Sequence, residues 1–192
     1  MLETSRYTRV AMVLHWTIAV MIIANVALAW SFDAWPDALV RPAIDTHKSI
    51  GVTVLGLALL RVLWRAAHPP PAFPATYPRV ERVAARVTHF AFYLLILAIP
   101  LSGWAHDSAW SQAAAYPMRL YGLVPWPRIA AIADLDPALK ERLHDVFARV
   151  HNSLGYVLLA LLALHVAGAL KHQFWDRAPE LQRMWPGRRG EA

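Results

Sequence analysis

Residues 151–165, HNSLGYVLLALLALH, place a histidine at each end of a segment apolar enough to cross a membrane. Ten of the 13 residues between His151 and His165 are apolar. At 100° per residue the 14-residue separation makes about four helical turns, so both rings leave nearly the same face, roughly 21 Å apart along the axis. One helix therefore offers a ring near each membrane surface, where other helices can meet it.

The composition of the whole chain also indicates a membrane protein. Of its 192 residues 57% are hydrophobic and 17% are charged, against about 45–50% and 25% in soluble domains. The absence of cysteine excludes disulfides, Cys-based zinc sites, iron–sulfur clusters and thioether-linked haem. The net charge is +6, but the basic residues lie between apolar runs, so we expect no nucleic-acid partner and interpret them as signals of membrane topology.

The apolar runs predict an all-α fold, an integral membrane four-helix bundle that forms one domain over residues 1–192. The four spans are expected at about 10–30, 47–67, 83–105 and 150–172, close to the ~20 residues that cross a hydrocarbon core. The first run lacks a cleavage site, so it is not interpreted as a signal peptide. Asp136 as an N-cap and Pro137 in the first turn predict a short interfacial helix before the fourth span.

The flanking charges predict the orientation of the bundle. Residues 1–9, 61–86 and 171–192 together carry 12 basic and five acidic residues, whereas residues 31–48 and 106–149 carry seven and eight. Because cytoplasmic flanks are rich in Lys and Arg, both termini are expected in the cytoplasm.

The same topology gives each intramembrane histidine a depth. His15 and His165 lie near the cytoplasmic end of their spans, and His47 and His151 open theirs from the outer side. A single histidine there fits a hydrogen bond to a neighbouring helix, but two depth-matched pairs favour a bound group. A proton relay would require carboxylates, which the expected spans lack. A zinc site would require further protein ligands at the same depth in the membrane. Haem held by two histidines needs opposed imidazoles and a wide apolar slot, which a four-helix bundle provides.

Three further residues fit this interpretation. Gly51 and Gly155 each follow a histidine of the outer pair by four residues, beside that ring on its helix face. They predict clearance for a porphyrin, although glycines also allow close helix packing in membranes. Arg61 is expected at the depth of the inner pair, where it either pairs with a haem propionate or extends to the cytoplasmic surface.

The remaining histidines are less informative. His89 and His172 are expected near the inner pair, either as hydrogen-bond donors to a quinone or as polar caps at the interface. His68, His106 and His144 are expected in loops and are assigned no role.

With these residues in place, the sequence resembles the bacterial cytochrome b561 family from about residue 6 to residue 186. The resemblance lies in VLHW (His15), THKSIG (His47), THFAFYLLILAIPLSGW (His89), HNSLGY (His151) and LHVAGALKHQFW (His165, His172). It implies a multi-pass protein of the bacterial inner membrane with two haem b groups and a quinone partner. It also implies that His15 and His165 ligate the cytoplasmic-side haem, and that His47 and His151 ligate the periplasmic-side haem.

A family member of similar length and pattern is a superoxide oxidase, so the resemblance implies a superoxide:ubiquinone oxidoreductase. Lys48 and Arg149 adjoin the outer histidines and are expected to attract the anion, unless they only anchor the helices at the interface. The same helical core serves elsewhere as a haem-b anchor subunit of a dehydrogenase or hydrogenase, with segment 106–148 as a docking surface. A haem-free transporter or scaffold is the third alternative, and a visible spectrum separates it from the other two.

Overall fold

The computed structural model describes residues 6–74 and 77–185, and four long helices dominate it. They are α1 (Arg9–Trp30), α2 (Asp37–Ala67), α3 (Arg79–Ser108) and α5 (Pro137–Leu170). The shorter elements are a 3-10 turn (Phe32–Ala34), β1 (Arg119–Leu120), β2 (Val124–Pro125), α4 (Ala130–Ala133), a π-helical turn (Lys171–Trp175) and α6 (Glu180–Met184). All four long helices are long and apolar enough to cross a membrane, which confirms the predicted all-α membrane bundle.

The first helix shows how such a span is built. Thr8 caps α1 by accepting a hydrogen bond from the backbone N–H of Ala11. Only Met12 and Ile18 of this helix are buried, and apolar side chains such as Val20 project outward. An apolar outer face of this kind is suited to lipid, because lipid chains provide no polar partners.

The second helix begins at Asp37, ten residues earlier than the expected span. The added turns, residues 37–46, contain three charged residues, which lower their hydropathy below that of a membrane span, but they are stabilised locally. Arg41 and Asp45 form an ion pair one turn apart, with 3.1 Å between nitrogen and oxygen, a favourable spacing on a helix. Asp37 lies in the first turn, where a negative charge interacts favourably with the positive end of the helix dipole.

The helix start at Asp136 and Pro137 was predicted correctly, but the prediction of a separate interfacial helix there was wrong. The Asp136 carboxylate accepts from the backbone N–H groups of Ala138 and Leu139 at 2.9 and 3.4 Å, as expected of an N-cap. No separate interfacial helix follows, because α5 runs unbroken to Leu170. Residues 138–154 contain no proline or glycine, so nothing in the sequence ends the helix before the membrane.

The long helices pack in chain order: α1 against α2, α2 against α3, and α3 against α5. The two chain ends meet at one end of the bundle. The N–H of Tyr7 donates to the Arg183 carbonyl at 3.2 Å, and the Trp16 indole donates to the Met184 carbonyl at 2.8 Å. We call this end the termini side and the other, which carries segment 106–148, the loop side. The cytoplasmic location of the termini side stays a prediction.

Segment 106–148 contains a β-hairpin that was not predicted. Strands β1 and β2 pair antiparallel, and the turn places Tyr121 and Gly122 at positive φ, 52° and 72°. The Arg128 guanidinium fixes the neighbouring chain by donating to the Asp107 carboxylate and to the carbonyls of Ala113 and Tyr116. The segment is therefore a folded cap over the loop side of the bundle.

Candidate cofactor site

Two pairs of histidine rings face each other inside the bundle. On the loop side, the rings of His47 (α2) and His151 (α5) have centroids 6.1 Å apart and planes at 84°. On the termini side, the rings of His15 (α1) and His165 (α5) have centroids 6.3 Å apart and planes at 78°. The structure thus brings together the same two pairs that depth matching predicted.

The ring separations suit a single metal ion between the two imidazoles of each pair. An imidazole nitrogen binds a metal at about 2 Å, so two opposed imidazoles on one metal have centroids roughly 6 Å apart. Two rings joined by a direct hydrogen bond would have centroids closer together than this. The donor set and its spacing therefore fit a haem iron held by two histidines.

The loop-side rings are also oriented as ligands. Nδ1 of His151 lies 3.0 Å from the Ile99 carbonyl oxygen, and Nδ1 of His47 lies 3.3 Å from the Asn25 carbonyl oxygen. A carbonyl can only accept, so Nδ1 carries the proton in each ring and Nε2 keeps its lone pair. Metal-binding histidines are commonly fixed in this way by a backbone carbonyl.

A cavity of about 690 Å³ surrounds the loop-side pair, with apolar walls that include Ile96 and Leu158. This volume is typical of a cofactor pocket. Gly51 and Gly155 both line it. A Cβ added at Gly155 would meet nothing within 4 Å, and at Gly51 it would meet only the Asn25 side chain at 4.0 Å. Both glycines border open space, as clearance for a flat macrocycle requires.

Gly103 on α3 has a different and unpredicted role. A Cβ at this position would lie 3.0 Å from Cε1 of His151, closer than carbon atoms normally approach. A side chain at this position would require the His151 ring or α3 to shift by a few tenths of an ångström. Its signal in the sequence is weak, since a glycine near the end of a membrane helix more often serves helix packing.

On the termini side, His89 and Arg61 lie where they were expected. The His89 ring is 5.7 Å from the His165 ring, centroid to centroid. The Arg61 guanidinium donates to the Ala11 carbonyl at 3.0 Å, one turn before His15. Arg61 also lines a second cavity, of about 260 Å³, together with Trp64 and Tyr93.

His172 belongs to a different group of residues at the surface of the termini side. Its ring stacks on Tyr77, with centroids 4.5 Å apart, and its Nδ1 lies 2.7 Å from the Asp176 carboxylate. The Lys171 ammonium joins Asp176 to Glu81, at 2.8 and 2.6 Å. The chain changes from α- to π-helical geometry at Lys171, one residue before His172.

Two groups beside His172 have shifted pKa values. A hydrogen bond from the Lys171 ammonium, assisted by His172, holds the pKa of the Asp176 carboxyl below its usual range. Burial, together with a hydrogen bond to Glu180, raises the pKa of the Tyr77 hydroxyl. Near neutral pH this surface group therefore combines an ionised carboxylate with a protonated phenol.

Lys48 reaches the loop-side cavity, but Arg149 does not. The Lys48 ammonium lies 2.6 Å from the Asp107 carboxylate and 3.5 Å from that of Asp45, so its charge is compensated. Arg149 precedes His151 by two residues, about 200° around the helix. It is exposed and is not among the described residues that line the cavity.

Other polar residues of this cavity were not predicted. His106 and His144 were expected in loops, but they lie on α3 and α5, because both helices extend beyond the expected spans. Their rings stack with centroids 4.0 Å apart and Nε2 atoms 3.1 Å apart. Asp107, also in the added turn of α3, is buried at 5% exposure between Lys48 and Arg128.

Comparison with known proteins identifies the family. The model of the prokaryotic cytochrome b561 family matches residues 6–187, nearly the whole chain. The chain belongs to this family. The cytochrome b561 family member described here is 33% identical to cytochrome b561 homolog 2 of Escherichia coli K12, over 93% of this chain and 90% of that protein. It is 26% identical to the probable superoxide oxidase CybB of Yersinia pestis, over 96% of this chain and 98% of that protein.

Membership of the cytochrome b561 family confirms the resemblance drawn from the histidine motifs. The protein is a membrane electron-transfer protein of a family that binds b-type haem. With four helices able to span a membrane, it is a multi-pass protein of the bacterial inner membrane.

Proposed function

We propose that this cytochrome b561 family member binds two haem b groups and transfers electrons from superoxide, on the loop side, to ubiquinone. The observation that carries the proposal is the presence of two opposed histidine pairs, with centroids 6.1 and 6.3 Å apart, that share one helix. When bound by two histidines, haem b supplies a one-electron carrier with no coordination position left for O2. Lys48 is the proposed anion-attracting residue, with His15, His47, His151 and His165 as the iron ligands; Arg149 is not included, because it is exposed and is not among the described residues that line the cavity.

The fourth spanning helix sets the distance between the two sites. His151 and His165 both lie on α5, 14 residues apart, which corresponds to about 21 Å along the axis. That distance covers most of a hydrocarbon core of about 30 Å. A rigid helix therefore holds one ligand of each pair at a fixed separation across the membrane.

Superoxide as the reductant is supported by charge on the loop side and by the name of the Yersinia relative. Three cations, Arg41, Lys48 and Arg128, surround two carboxylates, Asp45 and Asp107. The excess of one positive charge beside the cavity favours the approach of a small anion. Arg41, Lys48 and Asp107 of this group line the cavity, and Lys48 directly follows His47 in the chain.

Ubiquinone is proposed to bind on the termini side. His89 lies beside His165 within the apolar bundle, where a ring N–H can donate to a quinone carbonyl. His172 is proposed to supply protons, since it contacts Asp176 near the membrane surface. Arg61 provides a further donor near the same pair, either to the quinone or to a haem propionate.

The proposal is tested by mixing the purified, oxidised protein with a superoxide pulse and following the haem absorbance in a stopped-flow instrument. The haems should be reduced rapidly, more slowly at high salt, and then reoxidised by added ubiquinone. Lys48→Glu should slow the reduction, while the matched change Arg142→Glu, at an exposed position on α5, should not. Haems that remain oxidised with superoxide but are reduced by ubiquinol would reverse the direction of electron flow.

A second candidate function is that of a haem-b anchor subunit that exchanges electrons between quinone and a partner dehydrogenase or hydrogenase. The first part of α5 favours it, because Leu139 and Val146 are exposed there, before the expected membrane span. Purification of the chain alone, with full haem content and rapid superoxide-driven reduction, would contradict this alternative.

A further inference from the structure

The β1–β2 hairpin is unusually apolar for a connection between two membrane helices. Residues 118–127 read MRLYGLVPWP and contain one charged side chain, Arg119. At the tip, Leu123 is 78% exposed and Val124 is 57% exposed. Such side chains are unfavourable in water at a loop tip, so their surroundings need an explanation.

The hairpin does not project away from the bundle but lies along α2. The N–H of Tyr121 donates to the Ser49 hydroxyl at 2.9 Å, and the Tyr121 hydroxyl lies 2.8 Å from that of Thr53. Thr53 follows His47 by six residues, about 9 Å further along the helix. The Tyr121 backbone therefore lies at the level of Ser49 and its side chain reaches Thr53, both deeper in the bundle than His47.

The first helix gives the depth of this contact relative to the membrane surface. The position of a Cβ on Gly51 lies 4.0 Å from the Asn25 side chain, so Gly51 is level with Asn25. Asn25 precedes Trp30, the last residue of α1, by five residues, and Thr53 lies two residues deeper than Gly51. The contact between Tyr121 and Thr53 is thus roughly 10 Å below the level of Trp30, and tryptophans favour the interface.

The hairpin backbone is equipped for an apolar environment. Within a hydrocarbon core each backbone N–H must find a partner in the protein. The strands pair with each other, the N–H of Leu123 donates to Leu120 at 2.9 Å, and the N–H of Trp126 donates to Met118 at 3.0 Å. Pro125 has no N–H to satisfy. Tyr121 is satisfied by Ser49, which is itself buried beneath the hairpin.

We propose that the β1–β2 hairpin is embedded in the lipid leaflet of the loop side, with Leu123 and Val124 against acyl chains. Further along α2, the apolar side chains of Leu59 and Leu60 are also exposed. Arg119 lies exposed at the base of the hairpin, where its long side chain can reach a lipid phosphate. The ligand of this surface is therefore membrane lipid, and the assignment does not depend on the proposed electron-transfer reaction.

The absence of cysteine allows a direct test in proteoliposomes. A single cysteine is introduced as Leu123→Cys and labelled with an environment-sensitive fluorophore, with Val124→Cys as a second tip position. Val20→Cys on the outward face of α1 serves as the lipid-exposed control, and Ala138→Cys in the first turn of α5 as the water-exposed control. Each label is quenched in turn by aqueous iodide and by lipids that carry a quencher on the acyl chain.

Embedding predicts that labels at Leu123 and Val124 resemble the Val20 label: acyl-chain quenchers act strongly, and iodide acts several-fold more weakly than at Ala138. Iodide quenching equal to that at Ala138 would overturn the proposal. Protection from both quenchers, together with disulfide cross-linking of unlabelled Leu123→Cys chains, would replace lipid with a second copy of the protein and would also overturn it.

Discussion

The ammonium of Lys48 and the carboxylate of Asp107 form an ion pair, 2.6 Å from nitrogen to oxygen, that joins α2 to α3 beside the loop-side cavity. Lys48 is 17% exposed and Asp107 5%, so the pair is largely withdrawn from water. Its position means that the charge available to an incoming anion depends on Asp107 as much as on Lys48.

Replacing Asp107 by Asn should therefore raise the rate of haem reduction and lower the stability of the fold. Loss of the carboxylate removes the ion pair of Arg128 and leaves Lys48 with Asp45 alone, so the net positive charge beside the cavity rises, which should speed haem reduction by superoxide and make it more sensitive to salt. Breaking a buried ion pair should also lower the free energy of unfolding by roughly 3 kcal/mol, seen as a lower melting temperature in detergent. The double variant Lys48→Met/Asp107→Asn should recover part of that loss; strictly additive effects would argue against the pair.

Gly103→Ala should disrupt the loop-side site. The new Cβ would lie 3.0 Å from Cε1 of His151 and would displace the ring from the Ile99 carbonyl. We expect haem content to fall towards one per chain in a pyridine haemochrome assay. Gly56→Ala is the matched control, since a Cβ there meets nothing within 4 Å. Normal haem content in Gly103→Ala would show that Gly103 is not needed to make room for the His151 ring.

The two histidine pairs should behave as separate sites. His47→Ala and His151→Ala should lose the same haem in a redox titration, and His15→Ala and His165→Ala the other. The control His68→Ala, in which the lost ring stacks on Trp64 away from both pairs, should retain about two haems per chain. A wild-type content of one haem would remove one of the sites, and a common loss in His15 and His47 variants would show that the pairing is wrong.

The ring planes predict a spectroscopic signature. Both pairs are nearly perpendicular, at 84° and 78°. Perpendicular imidazole planes keep the iron d orbitals close in energy, so the low-spin ferric protein should show strongly anisotropic EPR signals with a very large principal g value. The less anisotropic spectrum of parallel imidazoles would indicate that haem binding rotates the rings.

The surface group on the termini side should make stability depend on pH in the acid range. Lys171 and His172 hold the pKa of Asp176 below its usual value of 3.8. A lowered folded-state pKa adds stability that is present above 3.8 and is lost as the pH falls through the lowered value. Melting curves of the wild type and Asp176→Asn should therefore converge at low pH. Asp134→Asn, a change at an exposed carboxylate of the loop side, should show no such convergence.

The sequence was most informative about the histidine pairs, because two of the four histidines lie on one helix at a spacing that fixes their relative positions. The 14 residues between His151 and His165 fix two rings on one face, so the pairs followed from helical geometry and depth alone. The roles of Gly103 and Asp107 depend on contacts between helices, which no local pattern specifies. The early start of α2 was missed because the three charged residues at 37–46 lower the hydropathy of its first turns below that of a membrane span. The π-helical turn at Lys171 was not predicted either.

The sharing of α5 by both ring pairs also has a consequence for biosynthesis. Helices α1, α2 and α3 can each pack on a neighbour in the chain as they emerge, but His15 must wait for His165, 150 residues later. At about 5–20 residues per second that interval is roughly 8–30 s. Neither bis-histidine site exists on the ribosome until the last spanning helix has been made. If both pairs bind haem as proposed, haem can be captured only after the last spanning helix has been made, and a chain truncated before α5 would lack both sites.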